Sequence, residues 1–273
     1  MERKYADVDG IPMSWEEEGE GIPVVLLHGI PTSPALWRFV TPHLHGVRVL
    51  AWEMVGYGRS MNQARGRDIS VAKQAEYLVR WMRALGIDKA IFVGHDLGGG
   101  VAQIAAVRNP GSCAGLFLTN AIGYDSWPIP SVSAMKASAG LVRHLPDPVF
   151  KALLSSLFYR GHDDPAKAKN ACRTHIPPYL AHRGAASLVA QVEQLHTADT
   201  LAIADQLPML RIPARIVWGA SDQFQKLEYG KRYARDLDAP LLPIKGGKHF
   251  TPEDHPVLIA QEIMALVQQV RST

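Results

Sequence analysis

Cysteine is scarce in this sequence: Cys113 and Cys172 are the only two among 273 residues. That excludes a disulfide framework and any CxxC redox or metal motif. Long hydrophobic runs are missing too. The longest, IPVVLL and AGLFL, fall far short of the roughly 20 residues needed to cross a bilayer. The opening MERKYADVDG carries charge with no apolar segment behind it, unlike a secretory signal. Neither sign of charge dominates, with 29 Lys and Arg against 26 Asp and Glu, and the basic residues are dispersed. Nothing here resembles a nucleic-acid or membrane surface. The expectation is a cytoplasmic protein with inert free thiols that acts on a small molecule.

What is present is a series of short apolar runs rich in Val, Ile and Leu, separated by helical periodicity. That pattern argues for a mostly parallel sheet covered on both faces. Strands are expected at 24–27, 47–52, 90–93, 115–119, 215–218 and 241–244, preceded by an antiparallel pair around Tyr5 to Trp15. Val71, Ala75, Leu78, Val79, Met82 and Leu85 mark one helix face, with Ser70 to cap its start and Gly86 its end. Leu258, Ile259, Ile263, Leu266, Val267 and Val270 form a similar stripe near the end. Strand signals vanish between about Tyr124 and Gln206, where SAMKASAGLVRHL, PVFKALLSSLFYR and GAASLVAQVEQL read as helices punctuated by proline and glycine. The organisation expected is a sheet domain in two parts, 1–123 and 207–273, interrupted by a helical cap at 124–206.

The stretch GHDLGGG at 94–100 lies between the run ending in Val93 and a helical segment. Gly94 and Gly98 leave room for a sharp strand-to-helix turn that would lift the side chain of Asp96 above the sheet edge. The helix that follows would direct its N-terminal amides toward that carboxylate.

With this frame come HGIP at His28, Gly29, Ile30 and Pro31, GYGRS at 56–60, WGASD ending at Asp222, and GGKHF containing His249. Together and in this order they resemble the α/β-hydrolase family, in particular its aspartate-nucleophile branch of epoxide hydrolases and haloalkane dehalogenases. The resemblance spans nearly the whole chain outside the cap. It implies an α/β-hydrolase fold, a mostly parallel central sheet flanked by helices with an inserted helical cap. It also implies that Asp96 attacks, His249 serves as general base, Asp222 orients His249, and the N–H groups of Leu97 and Ile30 form an oxyanion hole. No metal or organic cofactor is expected.

A carboxylate that attacked an ester carbonyl would form a mixed anhydride, higher in energy than the substrate, so serine-type esterase chemistry is disfavoured. In-line displacement at a saturated carbon instead forms an ordinary alkyl ester, which water activated by His249 could hydrolyse. The resemblance then leaves two leaving groups open. Epoxide oxygen needs an acid, for which the cap offers Tyr159 and Tyr179, although GAASLVAQ has no counterpart of the tyrosine common in epoxide hydrolase caps. Halide needs N–H donors, yet Leu97 and Ile30 stand where haloalkane dehalogenases carry tryptophan and asparagine. Leu97 and Gly100 likewise replace the arginines of haloacetate dehalogenases. Epoxide opening is the first expectation, hydrolytic dehalogenation the alternative, and a non-catalytic ligand-binding protein the alternative of another class.

Blander roles compete for several residues. His28 and His95 flank motif glycines and suit structural hydrogen bonds. His43 and His45 lack a third ligand at useful spacing. Trp37 and Trp127 suit packing or pocket lining. Asp125 and Glu253 are reserves for the acid of the triad.

Overall fold

The computed structural model describes residues 1–272. Eight strands form one sheet: β1 (Glu2–Val8), β2 (Ile11–Glu18), β3 (Ile22–Leu27), β4 (Val47–Glu53), β5 (Ala90–Asp96), β6 (Cys113–Ala121), β7 (Ala214–Gly219) and β8 (Leu241–Ile244). Their spatial order is β1-β2-β4-β3-β5-β6-β7-β8. β1 and β2 pair antiparallel to each other, β2 pairs antiparallel to β4, and the remaining pairings are parallel. The hairpin and all six later strands thus form where the apolar runs place them.

Burial follows position in the sheet. Every residue of central β5 is buried, as a parallel strand covered on both faces should be. Edge strand β1 is mostly exposed or half-buried, with only Val8 buried, and the hairpin is held by Trp15 on β2, which meets Trp81 edge-on at 5.5 Å.

Five helices accompany the sheet: α1 (Val71–Ala84) and α2 (Leu97–Arg108) follow β4 and β5, while α9 (Leu227–Asp236), the single turn α10 (Thr251–Asp254) and α11 (Pro256–Arg271) belong to the last part of the chain. Ser70 Oγ accepts from the Lys73 N–H at 3.3 Å at the start of α1, and Gly86 turns with φ of 68° just past its end, as capping requires. α2 packs on β5 and β6, and α11 on β6 and β7.

Between β6 and β7 the chain builds a helical insertion: α3 (Pro130–Ala137), α4 (Ala139–Val142), α5 (Asp147–Gly161), α6 (Pro165–Ala181), α7 (Ala185–Glu193) and α8 (Ala198–Leu201). α6 was not expected. It runs through Pro177 and Pro178, residues read as punctuation, because burial of His175, Ile176 and Tyr179 on one side holds the turn that the missing N–H groups would otherwise weaken.

Candidate active site

The parallel strands deliver their C-terminal ends to one edge, the place where open α/β sheets build sites. Asp96 closes β5 and caps α2 with φ 51° and ψ −122°. Gly184, at the start of α7, has nearly the same angles, 53° and −121°. A non-glycine residue held there costs of order 1–3 kcal/mol and persists only where its surroundings enforce it. Here they do: a Cβ on Gly98 would stand 2.3 Å from the Leu27 carbonyl oxygen, so only glycine lets α2 start this close to β3.

Ile30 follows β3, and its N–H donates to Asp96 Oδ1 at 2.9 Å. The Leu97 N–H also bonds the Asp96 carboxylate. Burial raises the pKa of Asp96 above its ordinary value, an effect that the charge of His249 and these two N–H donors oppose. His249, after β8, sets Nε2 at 3.7 Å from Asp96 Oδ2, too far for a hydrogen bond. Its Nδ1 lies 2.8 Å from Asp222 Oδ2, beyond the end of β7. The sequence-derived trio is therefore brought together, with Oδ1 of Asp96 held by the Ile30 N–H and Oδ2 turned to the histidine.

Electrostatics sorts the three groups. Burial alone would raise the Asp222 carboxyl and lower the His249 imidazole. Their mutual attraction reverses both shifts, assisted at Asp222 by N–H donors, so Asp222 is held low and His249 high. The donors at Asp222 are Asn120 Nδ2, at 2.6 Å from Oδ2, and the Phe224 N–H, at 2.7 Å from Oδ1. Asn120, near the end of β6 with φ of 44°, also accepts from the Gly219 N–H and the Thr251 hydroxyl. Nothing in the sequence distinguishes this asparagine from an ordinary strand residue; its role depends on its contacts.

A second set of contacts fixes the loop of His249 to the insertion. The N–H groups of His249 and Phe250 both donate to the Gly161 carbonyl, at 2.9 and 3.1 Å. The Lys248 ammonium donates to the His162 carbonyl at 2.7 Å. Phe224 and Phe250 meet the His249 ring edge-on, each at 5.0 Å. Glu253 does not serve as the acid. It is buried against Arg38, His175 at 2.9 Å and His162 at 3.1 Å, which hold its carboxyl well below the ordinary range although burial pushes the other way. Asp125 is exposed and accepts from the Tyr229 hydroxyl.

His28 and His95 prove to be internal braces. His28 Nδ1–H donates to the Gly29 carbonyl at 3.0 Å while Nε2 accepts from the Met54 N–H at 3.2 Å. His95 Nε2–H donates to the His249 carbonyl at 2.9 Å. Burial pushes their pKa values down to about 4 and about 3, so both are neutral. His43 and His45 are exposed.

Asp96 and His249 form part of the wall of a cavity of about 660 Å³, counted with its opening to solvent. Most of the wall is aliphatic or aromatic, with Ile30, Leu97 and Ile122 from the core and Trp127, Val132, Leu154 and Leu188 from the insertion. Neither candidate tyrosine reaches it. Tyr159 is 46% exposed, on the outer side of α5, while Tyr179 is buried and donates to Gln191 Oε1 at 2.6 Å. A helix turns successive residues by 100°, and the side of a helix that meets a cavity cannot be read where proline and short turns scramble the register. Trp127 does line the cavity, but its indole N–H is committed to Thr200 Oγ1 at 2.7 Å. Trp37 is fully buried outside the wall.

Such an array, a carboxylate bonded by two amides beside a histidine raised by a second carboxylate, stands at the C-terminal edge of an α/β sheet. The profile of the alpha/beta hydrolase fold matches residues 22–256, and the chain belongs to that family. It is 26% identical to a haloalkane dehalogenase of Sphingobium indicum, over 99% of this chain and 96% of that protein. It is 36% identical to bifunctional epoxide hydrolase 2 of Rattus norvegicus over 37% of this chain and 19% of that protein. Among solved structures, an alpha/beta hydrolase fold protein from Burkholderia ambifaria superposes with a TM-score of 0.86 at 24% identity, covering 96% of this chain and 97% of that one. No described helix is long and apolar enough to cross a membrane.

Proposed function

We propose that the protein hydrolyses small apolar molecules bearing a leaving group on saturated carbon, through an alkyl ester on Asp96, and that halide is the group that leaves. The observation that carries the first part is the division of labour at Asp96, Oδ1 on the Ile30 N–H and Oδ2 facing His249. In the first step Oδ2 attacks the carbon in line, and the carbon–halogen bond breaks with its electron pair going to the halide. In the second, His249 Nε2 takes a proton from water, whose oxygen attacks Cγ of Asp96. The resulting oxyanion is stabilised by the Ile30 and Leu97 N–H groups. Collapse of that intermediate releases the alcohol, which takes the proton back from His249, while Asp222 holds the imidazolium in place; Asp96, left as its acid, then gives the second water proton to solvent and returns to the carboxylate. The helical insertion at 124–206 acts as the cap that closes the cavity.

Two observations favour halide over epoxide oxygen, which reverses the order of the sequence-based expectation. An epoxide oxygen departs as an alkoxide and needs a proton donor, and both candidate tyrosines stand away from the cavity wall. A halide departs as a stable anion and needs only dipoles. The relative matched along nearly its whole length is a haloalkane dehalogenase, whereas the epoxide hydrolase match covers about a third of this chain.

The test is the intact mass of the His249→Gln variant after incubation with matched panels of haloalkanes and epoxides. The reading expects an adduct on Asp96 equal to the haloalkane less hydrogen halide. An adduct equal to a whole epoxide, with none from haloalkanes, would reverse the assignment of the leaving group. No adduct from any member of either panel would remove the covalent mechanism.

A further inference from the structure

The carbonyl groups that end a helix find no partner within it. At the end of α5 two of them are taken up by the loop that carries His249. The Gly161 carbonyl accepts from the His249 and Phe250 N–H groups, and the His162 carbonyl from the Lys248 ammonium. So close an approach depends on glycine. A Cβ on Gly161 would stand 2.6 Å from the Phe250 ring and 2.9 Å from that of Phe224, the two rings that meet His249 edge-on. Next in the chain, His162 is 1% exposed, with its ring stacked on Phe250 at 4.7 Å. Its Nδ1 lies 2.9 Å from Asp254 Oδ1 and its Nε2 3.1 Å from Glu253 Oε2, both carboxylates of α10. A neutral imidazole carries one N–H and would turn a lone pair toward one of these carboxylates, whereas the imidazolium turns N–H to both.

From this geometry we propose that His162 is a positioning residue for the hydrolytic step: as an imidazolium clamped between Glu253 and Asp254, it anchors the end of α5 on the loop and so fixes the place of His249. The inference rests on the covalent mechanism above. The two steps of that mechanism ask different things of His249. Displacement at carbon needs the Asp96 carboxylate, which is placed by the Ile30 and Leu97 N–H groups, whereas ester breakdown needs His249 Nε2 aimed at the water. Loss of the clamp therefore falls on the second step. The clamp also has a pH range of its own. Burial alone would lower the His162 pKa, but Asp254 and Glu253 outweigh it and hold it above the ordinary imidazole value. The clamp is thus complete below the ordinary imidazole range and is lost as pH rises through the raised value. The other charged groups around it are Arg38 and His175 on Glu253, Lys167 on the Asp254 carbonyl, and Lys248 on its own carbonyl. Beyond them stand the pair of Asp163 and His255 and His249 itself. Rising pH leaves His249 unprotonated and active as a base, so an alkaline loss of ester breakdown does not come from the base.

The experiment is a single turnover of 1-bromobutane followed by quenched-flow mass spectrometry, which times formation and breakdown of the Asp96 ester separately. It compares wild type, His162→Gln and Gly161→Ala, each with a thermal melt. His162→Gln should slow ester breakdown by about 10- to 100-fold, the scale of an error of about 1 Å in placing a catalytic group, and leave ester formation within about threefold of wild type. Gly161→Ala pushes the same turn off the two rings without removing a charge, so it should also let the ester accumulate. In wild type the breakdown rate should fall as pH rises above the His162 pKa, and this limb should be missing from His162→Gln. Equal slowing of both steps in the folded variants would make the role merely structural and overturn the assignment. Unchanged ester breakdown in folded His162→Gln would overturn it too. If neither variant folds, the wild-type profile decides, and a breakdown rate that stays level to the alkaline end overturns the assignment. Absence of an ester in His249→Gln would instead overturn the mechanism beneath, a separate failure.

Discussion

Gly29→Ala should inactivate the protein with a perturbation of one methyl group. A Cβ built on Gly29 would lie 2.3 Å from Asp96 Oδ1 and 2.4 Å from Asp96 Cβ, whereas real contacts of this kind essentially never fall below 3.0 Å. The carboxylate has to retreat, because the Asp96 main chain is pinned between β5 and α2 by the close approach of Gly98 to β3. The atom displaced is the one that accepts from the Ile30 N–H. Loss of one such donor typically lowers turnover by about 10²- to 10³-fold, or about 3–4 kcal/mol in the barrier. A shift of the attacking oxygen by about 1 Å acts in the same direction. Overpacking should also lower stability by about 1–3 kcal/mol. The assay is single-turnover alkylation at saturating haloalkane, beside a thermal melt to show that the variant is folded. Activity within about threefold of wild type in a folded variant would refute the reasoning, since it would mean that the placement of Oδ1 against Ile30 has no part in the chemistry.

The turnover rate should fall as pH drops through the His249 pKa, which lies above the ordinary imidazole value because Asp222 outweighs the effect of burial; Asp222→Asn removes that charge, so a kcat–pH profile should show the acid limb moving to lower pH, and an unmoved limb would deny the pairing. Tyr179→Phe and Tyr159→Phe should leave turnover within about threefold, with Tyr179→Phe losing about 1 kcal/mol of stability from its bond to Gln191; a hundredfold fall in either rate would restore a tyrosine acid. Glu253→Gln strips the counterion from buried His162 and His175 and should cost about 3–5 kcal/mol in denaturant unfolding. Because the Glu253 carboxyl is held low in the folded protein, its contribution is complete above the ordinary glutamate range and is lost as pH falls below it; a wild-type acid melting curve in the glutamine variant would contradict this.

Much of the architecture could be read before any coordinates, because it rests on local signals. Short apolar runs mark strands buried on both faces, and Ser70 and Gly86 mark the ends of α1. The positions of Asp96, His249 and Asp222 depend on turns at strand ends, whose glycines are local as well. Asn120 left no such trace, since it is one polar residue in an apolar strand. Its importance comes from what other segments bring to it. The place of the tyrosines was hidden for the same reason: residue type was visible, but the facing of α5 and α6 is decided by packing against a segment far along the chain, through Gly161 on His249 and His175 on Glu253.

The central claim is that Asp96, and not water, forms the first bond to carbon. It is tested most directly by a single turnover with enzyme in excess over 1-chloroalkane, in water enriched in the heavy oxygen isotope, followed by mass analysis of both the alcohol and the peptide containing Asp96. The mechanism predicts light oxygen in the alcohol, donated by the carboxylate, and heavy oxygen in Asp96. Heavy oxygen in the alcohol with an unlabelled Asp96 would show direct attack by water and contradict it.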